Sequence, residues 1–159
     1  MSENHILSYN FSGGVVKGSP IWYYSIMQNC LFCKIVRGEL PCYKVYENDL
    51  FLAFLDIFPK VKGHTLVIPK EHHRWVYDVP QFSAYWDTAR LVTDAVQKTL
   101  SLKWVSYYTF GAVPHAHIHI LPRTENPDTL TEGTPIVPAQ ISMERHEYET
   151  LAESLRKAF

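Results

Sequence analysis

The sequence predicts an α+β domain, an antiparallel sheet of about five strands with one long helix and a short N-terminal helix. Three observations lead there. Short runs rich in β-branched and aromatic residues, bounded by turn residues, recur between residues 43 and 69 and again between 104 and 121. Residues 81–100 carry one sustained helical period. Hairpins come first and the long helix follows, which is the order of an antiparallel sheet with helices packed against it.

Each element has its own local reason. "FSGGVVKGSP" is rich in Gly and Ser, and residues 1–26 sustain neither period. They are expected to form an extension of unknown role, ordered only where Ile21, Trp22, Tyr23 and Tyr24 dock on the domain that follows, residues 27–159. A short helix is expected over Leu31–Val36, stopped by Gly38 and Pro41. "YKVYE" and "LFLAFLD" read as a hairpin turning through Glu47, Asn48 and Asp49, and "HTLVIP" as a strand closed by Pro69. In "QFSAYWDTARLVTDAVQKTL", Phe82, Tyr85, Trp86, Ala89, Val92, Val96 and Leu100 form one apolar stripe, with Pro80 suited to the first turn. "WVSYYTF" and "HAHIHIL" are two further strands. Loop composition from Pro122 to Pro138 then precedes a helix over Glu144–Lys157 in the C-terminal tail.

Composition sets outer limits. A chain of 159 residues, 47% hydrophobic, supports one domain with a real core. A formal net charge of -1 gives no general reason to expect a nucleic-acid or membrane-surface binder. Lys60, Lys62, Lys70 and Arg74 form a local basic stretch, read as a solvated face. No apolar run approaches the roughly 18 residues of a membrane span, and "IWYYSIM" lacks the flanks of a signal peptide. A cytosolic location is expected. Three cysteines argue against a disulfide scaffold; Cys30 and Cys33 form a C-x-x-C pair, and Cys42 reads as a small buried residue.

The chemistry concentrates in "PHAHIHILPR". Because side chains alternate along a strand, His115, His117 and His119 share one face, roughly 7 Å apart, while Ala116, Ile118 and Ile120 share the other. A half-exposed polar strand is one reading. A three-histidine metal centre is a second, although three successive outward positions span too far for one tetrahedral ion. In the third, one imidazole is a nucleophile and its neighbours manage charge and protons.

"HAHIHIL" is similar to the His-x-His-x-His-x-x signature of the histidine triad superfamily of nucleotide hydrolases and transferases. "CLFCKIVRGELPCYKVYENDLFLAFLDIFPKVKGHTLVIPKEHH" resembles the N-terminal half of that family, especially its zinc-carrying bacterial and purine nucleoside phosphoramidase branches. The resemblance implies that His117 attacks the α-phosphorus and becomes nucleotidylated. His119 and His64 would assist as donors to phosphate oxygens or the leaving group; read alone, His64 is more simply a surface or capping histidine. Asp56 would bind the ribose hydroxyls, its plainer reading being a turn-forming Asp before "IFP". Phe32, Ile35, Phe54 and Ile57 would line the base slot, although alone they read as core residues. Cys30, Cys33, His72 and His115 would hold a structural zinc ion, with His72 favoured over the adjacent His73.

The chain also departs from the family pattern. "WVSYYTFGAVPH" lacks the longer glycine-rich loop with its Asn and Gln or Ser, and keeps only Gly111 just before "AVP"; Ser106, Tyr107 or Thr109 could substitute. Arg123 could reach a distal phosphate or sit in solvent. The expectation is therefore a zinc-containing homodimer that binds a purine nucleotide and hydrolyses a nucleoside phosphoramidate or a dinucleoside polyphosphate, releasing a nucleoside monophosphate such as AMP. The complete triad and His64 favour an enzyme. The rebuilt loop favours the alternative, a non-catalytic nucleotide-binding or protein-interaction module.

Overall fold

The computed structural model describes residues 29–159, so the expectations for residues 1–26 lie outside the described residues. Helix α1 (Leu31–Val36) leads into β1 (Tyr43–Glu47), β2 (Phe51–Leu55) and β3 (Thr65–Pro69). Helix α2 (Phe82–Leu100), β4 (Trp104–Tyr108), β5 (Ile118–Arg123) and α3 (Arg145–Arg156) follow. The strands form one antiparallel sheet in the order β1-β2-β3-β5-β4.

The sheet is covered on both faces. Val45, Phe51, Ala53, Leu55, Val67, Ile118 and Ile120 pack towards α2 and α3. Leu52, Phe54, Leu66 and Ile68 pack on the opposite face with Phe32, Cys30 and Cys33 of the α1 region. This explains why "FLAFL" and "TLVIP" are apolar without alternation: every residue of β2 and β3 is buried. Tyr85 of α2 ties the layers, stacking on Phe51 at 5.1 Å and donating its hydroxyl to the Val67 carbonyl at 2.6 Å.

Local chemistry sets the boundaries. Asn48 accepts the amides of Leu50 and Phe51 at 2.9 and 2.8 Å and turns the β1–β2 hairpin. Gly63 has φ +83°, and a Cβ there would lie 2.6 Å from Leu100 Cδ1, so glycine is required before β3. Helix α3 opens with a capping box between Glu144 and Glu147 and packs on β1 through Tyr148, whose ring stacks on Tyr43 at 4.6 Å.

Several expectations are corrected. The strand expected from His115 begins only at Ile118. The preceding backbone bonds outside the sheet: the Ala116 amide donates to the His73 carbonyl, and the His115 carbonyl accepts the His117 ring. Phe82 of the helical stripe is 46% exposed, and Cys42 is only partly buried. Arg123 reaches neither solvent nor the histidine cluster. It is 3% exposed, and its guanidinium holds Glu125 and the Pro135 and Ile136 carbonyls, fastening the tail loop to the end of β5.

Candidate active site and metal cluster

β5 and the segment before it put His115, His117 and His119 on the α1 side of the sheet, while Ala116, Ile118 and Ile120 enter the main core. The imidazoles are not a solvated row: none is more than 8% exposed. Phe32 meets the His115 and His117 rings edge-on at 5.8 and 5.3 Å, and the His117 and His119 rings lie 4.8 Å apart. Buried polar groups must be hydrogen-bonded, and that requirement assigns each ring its tautomer.

The His117 Nδ1–H donates to the His115 carbonyl at 2.6 Å, leaving the Nε2 lone pair free. The Lys60 amide donates to His64 Nδ1 at 3.2 Å, so the proton of His64 sits on Nε2. That proton is donated to His119 Nδ1 at 2.9 Å, which in turn puts the proton of His119 on its Nε2. His119 Nε2 is a buried side-chain nitrogen without a hydrogen-bond partner. An orphaned buried donor costs about 1–3 kcal/mol, and here it stands beside the His117 ring, whose Nε2 is free. Such strain is expected where a ligand supplies the missing acceptor.

Burial is the largest influence on all three rings and keeps them neutral. It holds His117 below the ordinary imidazole range, His64 down at about 4 and His119 down at about 2. For His64, the Asp56 charge works against burial. Asp56 accepts the Phe58 amide on Oδ1 at 2.8 Å, and its Oδ2 lies 3.5 Å from His64 Nδ1 and 4.0 Å from His119 Nδ1. Its turn-forming role is therefore present, and its second oxygen faces the histidines. Tyr108, directly opposite His119 in the β4–β5 register, stacks on that ring at 4.0 Å and 8°.

A second cluster adjoins the first. Cys30 Sγ, Cys33 Sγ, His72 Nδ1 and His115 Nδ1 lie within 4.8 Å of one another. His115 Nδ1 is 3.4 and 3.5 Å from the two sulfurs, and His72 Nδ1 is 3.2 Å from Cys33 Sγ. Zinc–sulfur and zinc–nitrogen bond lengths imply an S–N tetrahedral edge of about 3.6 Å, so this donor set fits zinc. His115 Nε2–H donates to the Pro69 carbonyl at 2.8 Å, the outer hydrogen bond that fixes a ligating imidazole. The Cys33 and His115 hydrogen bonds hold Cys30 well below the usual thiol range, favouring a thiolate. His73 instead turns to Glu71 at 3.4 Å, so the structure brings His72 into the cluster and leaves His73 out.

Of the base-slot candidates, Phe32 and Phe54 are buried together with ring centroids 5.7 Å apart, and Ile35 packs partly against them. Ile57 is 58% exposed, unlike the buried Phe32 and Phe54. Tyr107 points to the helix face, where its hydroxyl meets Thr93 at 2.5 Å, and so lies away from the histidines. Ser106 pairs with Leu121, a register position farther along β5. Tyr108, not one of the loop substitutes expected from the sequence, takes the position against His119, and alternation along "WVSYYTF" separates it from Tyr107.

Arg74 departs from the solvated basic face expected for its stretch. Its guanidinium lies 3.9 Å from the centroid of the Trp75 ring and donates to the Gly111 and Val113 carbonyls at 3.0 and 3.4 Å. The aromatic neighbour in "HHRWVY" was the available signal. Lys70 of the same stretch pairs with Glu47 at 2.8 Å. Among the described residues no helix is long and apolar enough to cross a membrane.

Residues 37–126 match the family model described as the HIT domain. An adenosine 5'-monophosphoramidase, hnt1 of Schizosaccharomyces pombe, is 39% identical over 114 residues, covering 69% of this chain and 86% of that protein. The adenylylsulfatase HINT3 of Arabidopsis thaliana is 41% identical over 110 residues, covering 64% of this chain and 56% of that longer protein. Among solved structures, a zinc-bound histidine triad family protein from Mycobacterium smegmatis aligns with TM-score 0.66 at 31% identity, covering 83% of this chain and 94% of its own. A five-stranded antiparallel sheet carrying three histidines on one face of β5 and its approach, together with these matches, makes the chain a member of the HIT family.

Proposed function

We propose that the chain is a nucleotide hydrolase acting at the α-phosphate, with His117 as nucleophile. One observation carries this reading: His117 Nε2 is freed by the hydrogen bond at Nδ1, and the adjacent His119 Nε2–H is buried without an acceptor. An α-phosphate placed between them accepts the orphaned proton on a non-bridging oxygen while Nε2 attacks phosphorus. The chain Lys60 amide to His64 to His119 holds the donor in place before substrate arrives. Phosphoryl chemistry asks mainly for such positioning.

Displacement joins Nε2 to phosphorus and releases the leaving group with its bonding electrons. Water then attacks phosphorus, returns the electron pair to Nε2 and frees a nucleoside monophosphate. Asp56 is proposed to take the ribose hydroxyls through Oδ2, and Phe32 and Phe54, flanked by Ile35, to receive a purine such as adenine. Ile57 would have to cover the base from its exposed position. Two relatives are named for hydrolysis of adenylyl compounds, which supports AMP as the product.

Zinc held by Cys30, Cys33, His72 and His115 would be structural, joining α1, the segment after β3 and the approach to β5. β4 is an edge strand, and a homodimer is the expected assembly. A cytoplasmic setting suits such a substrate.

The test is incubation with adenosine phosphoramidate, adenosine 5'-phosphosulfate and diadenosine polyphosphates, followed by assay for AMP. His117→Asn should lose turnover yet bind AMP. Normal turnover by that variant removes the assignment, and AMP binding by the parent without any turnover favours a binding module. The rebuilt "YYTFGAVP" loop is the observation that keeps the second outcome in view.

A further inference from the structure

A cation lies against the loop that precedes the histidines. A cleft of about 60 Å³ opens beside His117 and is lined by Arg74, Trp75, Tyr77, Thr109 and Gly111. At roughly 10–15 Å³ per water, it has room for a group the size of a tetrahedral oxyanion. Arg74 is held there by three contacts: the Trp75 ring at 3.9 Å, the Gly111 carbonyl at 3.0 Å and the Val113 carbonyl at 3.4 Å. No carboxylate among the described residues forms an ion pair with it. A Cβ on Gly111 would run into the Trp75 indole and come within 3.4 Å of Arg74 Nη1, so the one glycine left in the loop is what lets the indole and guanidinium lie against it. The result is a fixed, unpaired positive charge lining the same cleft as the nucleophile.

We propose that Arg74 binds the leaving group, and that this chain prefers nucleotides whose leaving group is an oxyanion, a phosphate or sulfate joined to the α-phosphate through a bridging oxygen. This rests on His117 being the nucleophile. As Nε2 bonds to the α-phosphorus, the bond to the bridging oxygen breaks and its electron pair leaves on that oxygen, where a guanidinium neutralises it without giving up a proton. An amine leaving group needs the opposite provision. It must take a proton as the P–N bond breaks, and Arg74 has none to give and repels the resulting ammonium. The second displacement is common to both substrates: water joins phosphorus, the N–P bond returns its electrons to Nε2, and a proton passes to solvent.

The experiment compares kcat/KM for adenosine 5'-phosphosulfate, diadenosine triphosphate and adenosine phosphoramidate in the parent, Arg74→Gln and Arg74→Lys proteins. The parent should favour the two oxyanion substrates. Arg74→Gln should lower the ratio of oxyanion to phosphoramidate kcat/KM by about 10- to 100-fold, the size of a lost charged hydrogen bond, and Arg74→Lys should recover part of it. The sulfate and phosphate arms separate the two sources of the anion. Equal loss on all substrates would mean that Arg74 merely shapes the cleft, and a parent preference for the phosphoramidate would also overturn the proposal. If the parent turns over nothing, the assignment of His117 fails, and the subsite is then judged by calorimetry with pyrophosphate in the presence of AMP. Pyrophosphate binding that disappears in Arg74→Gln supports it, and equal binding, or none in the parent, refutes it.

Discussion

Acidification should destabilise this protein by an amount traceable to the His64–His119 pair. Both rings are buried and neutral, with pKa values of about 4 and about 2, whereas an unfolded imidazole titrates near 6.5. As the pH falls below about 6.5 the unfolded chain takes up protons that the folded chain refuses, so stability drops with falling pH. For His64 the loss flattens only near its folded value of about 4. Between pH 7 and pH 5 each ring contributes about 2 kcal/mol of lost stability, about 4 kcal/mol for the pair. The Asp56 charge and the Lys60 amide are included in that environment, and neither releases the rings from burial. Urea denaturation at the two pH values reads the loss directly. Protonation of the buried His117 and of the cysteine–histidine cluster also weakens the fold in acid, but both are common to parent and variant. His64→Gln should therefore lose about 2 kcal/mol less than the parent over the same interval. If it loses as much as the parent, or if the parent is equally stable at both pH values, the neutral buried relay is wrong. His119→Gln provides the same comparison should His64→Gln fail to fold.

Other outcomes follow from the same geometry. Cys33→Ser should purify with less than stoichiometric zinc and a lower melting temperature that added zinc does not restore, as read by metal analysis and calorimetry; unchanged zinc would exclude Cys33 as a ligand. Arg123→Ala removes a buried guanidinium that holds two carbonyls and Glu125, and should cost about 2–4 kcal/mol while exposing the tail loop to limited proteolysis near Pro135. Tyr85→Phe deletes one buried hydroxyl bonded to Val67 and should cost about 1 kcal/mol in urea denaturation. Gly111→Val forces Trp75 away from the loop, so indole fluorescence should shift towards that of exposed tryptophan with little change in melting temperature.

Much of the fold is legible because its signals are local. Residues 82–100 combine one apolar stripe with good helix formers, and that pattern has a single solution, the helix observed. Asn48 turns the hairpin with its own side chain. Alternation within β5 sets His119 opposite Ile118 and Ile120, and the approach to the strand continues the pattern through His117 and His115. The C-x-x-C spacing similarly brings Cys30 and Cys33 within reach of one ion. The HIT resemblance then linked residues far apart in the chain, such as Cys33 and His115, which periodicity could not have joined.

Other features depended on partners distant in sequence. Whether His64 is a surface residue or part of a relay is decided by β3 pairing with β5, which sets it against His119. Arg123 is buried because the tail loop folds back and presents the Pro135 and Ile136 carbonyls to it. Arg74 leaves the solvent-facing basic stretch because Gly111 and Val113 arrive from the β4–β5 connection to meet it. The sequence by itself determined the helices, the first four strands and the core of the fifth, since near-neighbour sterics and burial of an apolar stripe are enough for those. Only the tertiary structure decided which nitrogen of each ring carries its proton and which cation stands near His117, because both depend on hydrogen-bond partners that folding brings together from remote parts of the chain.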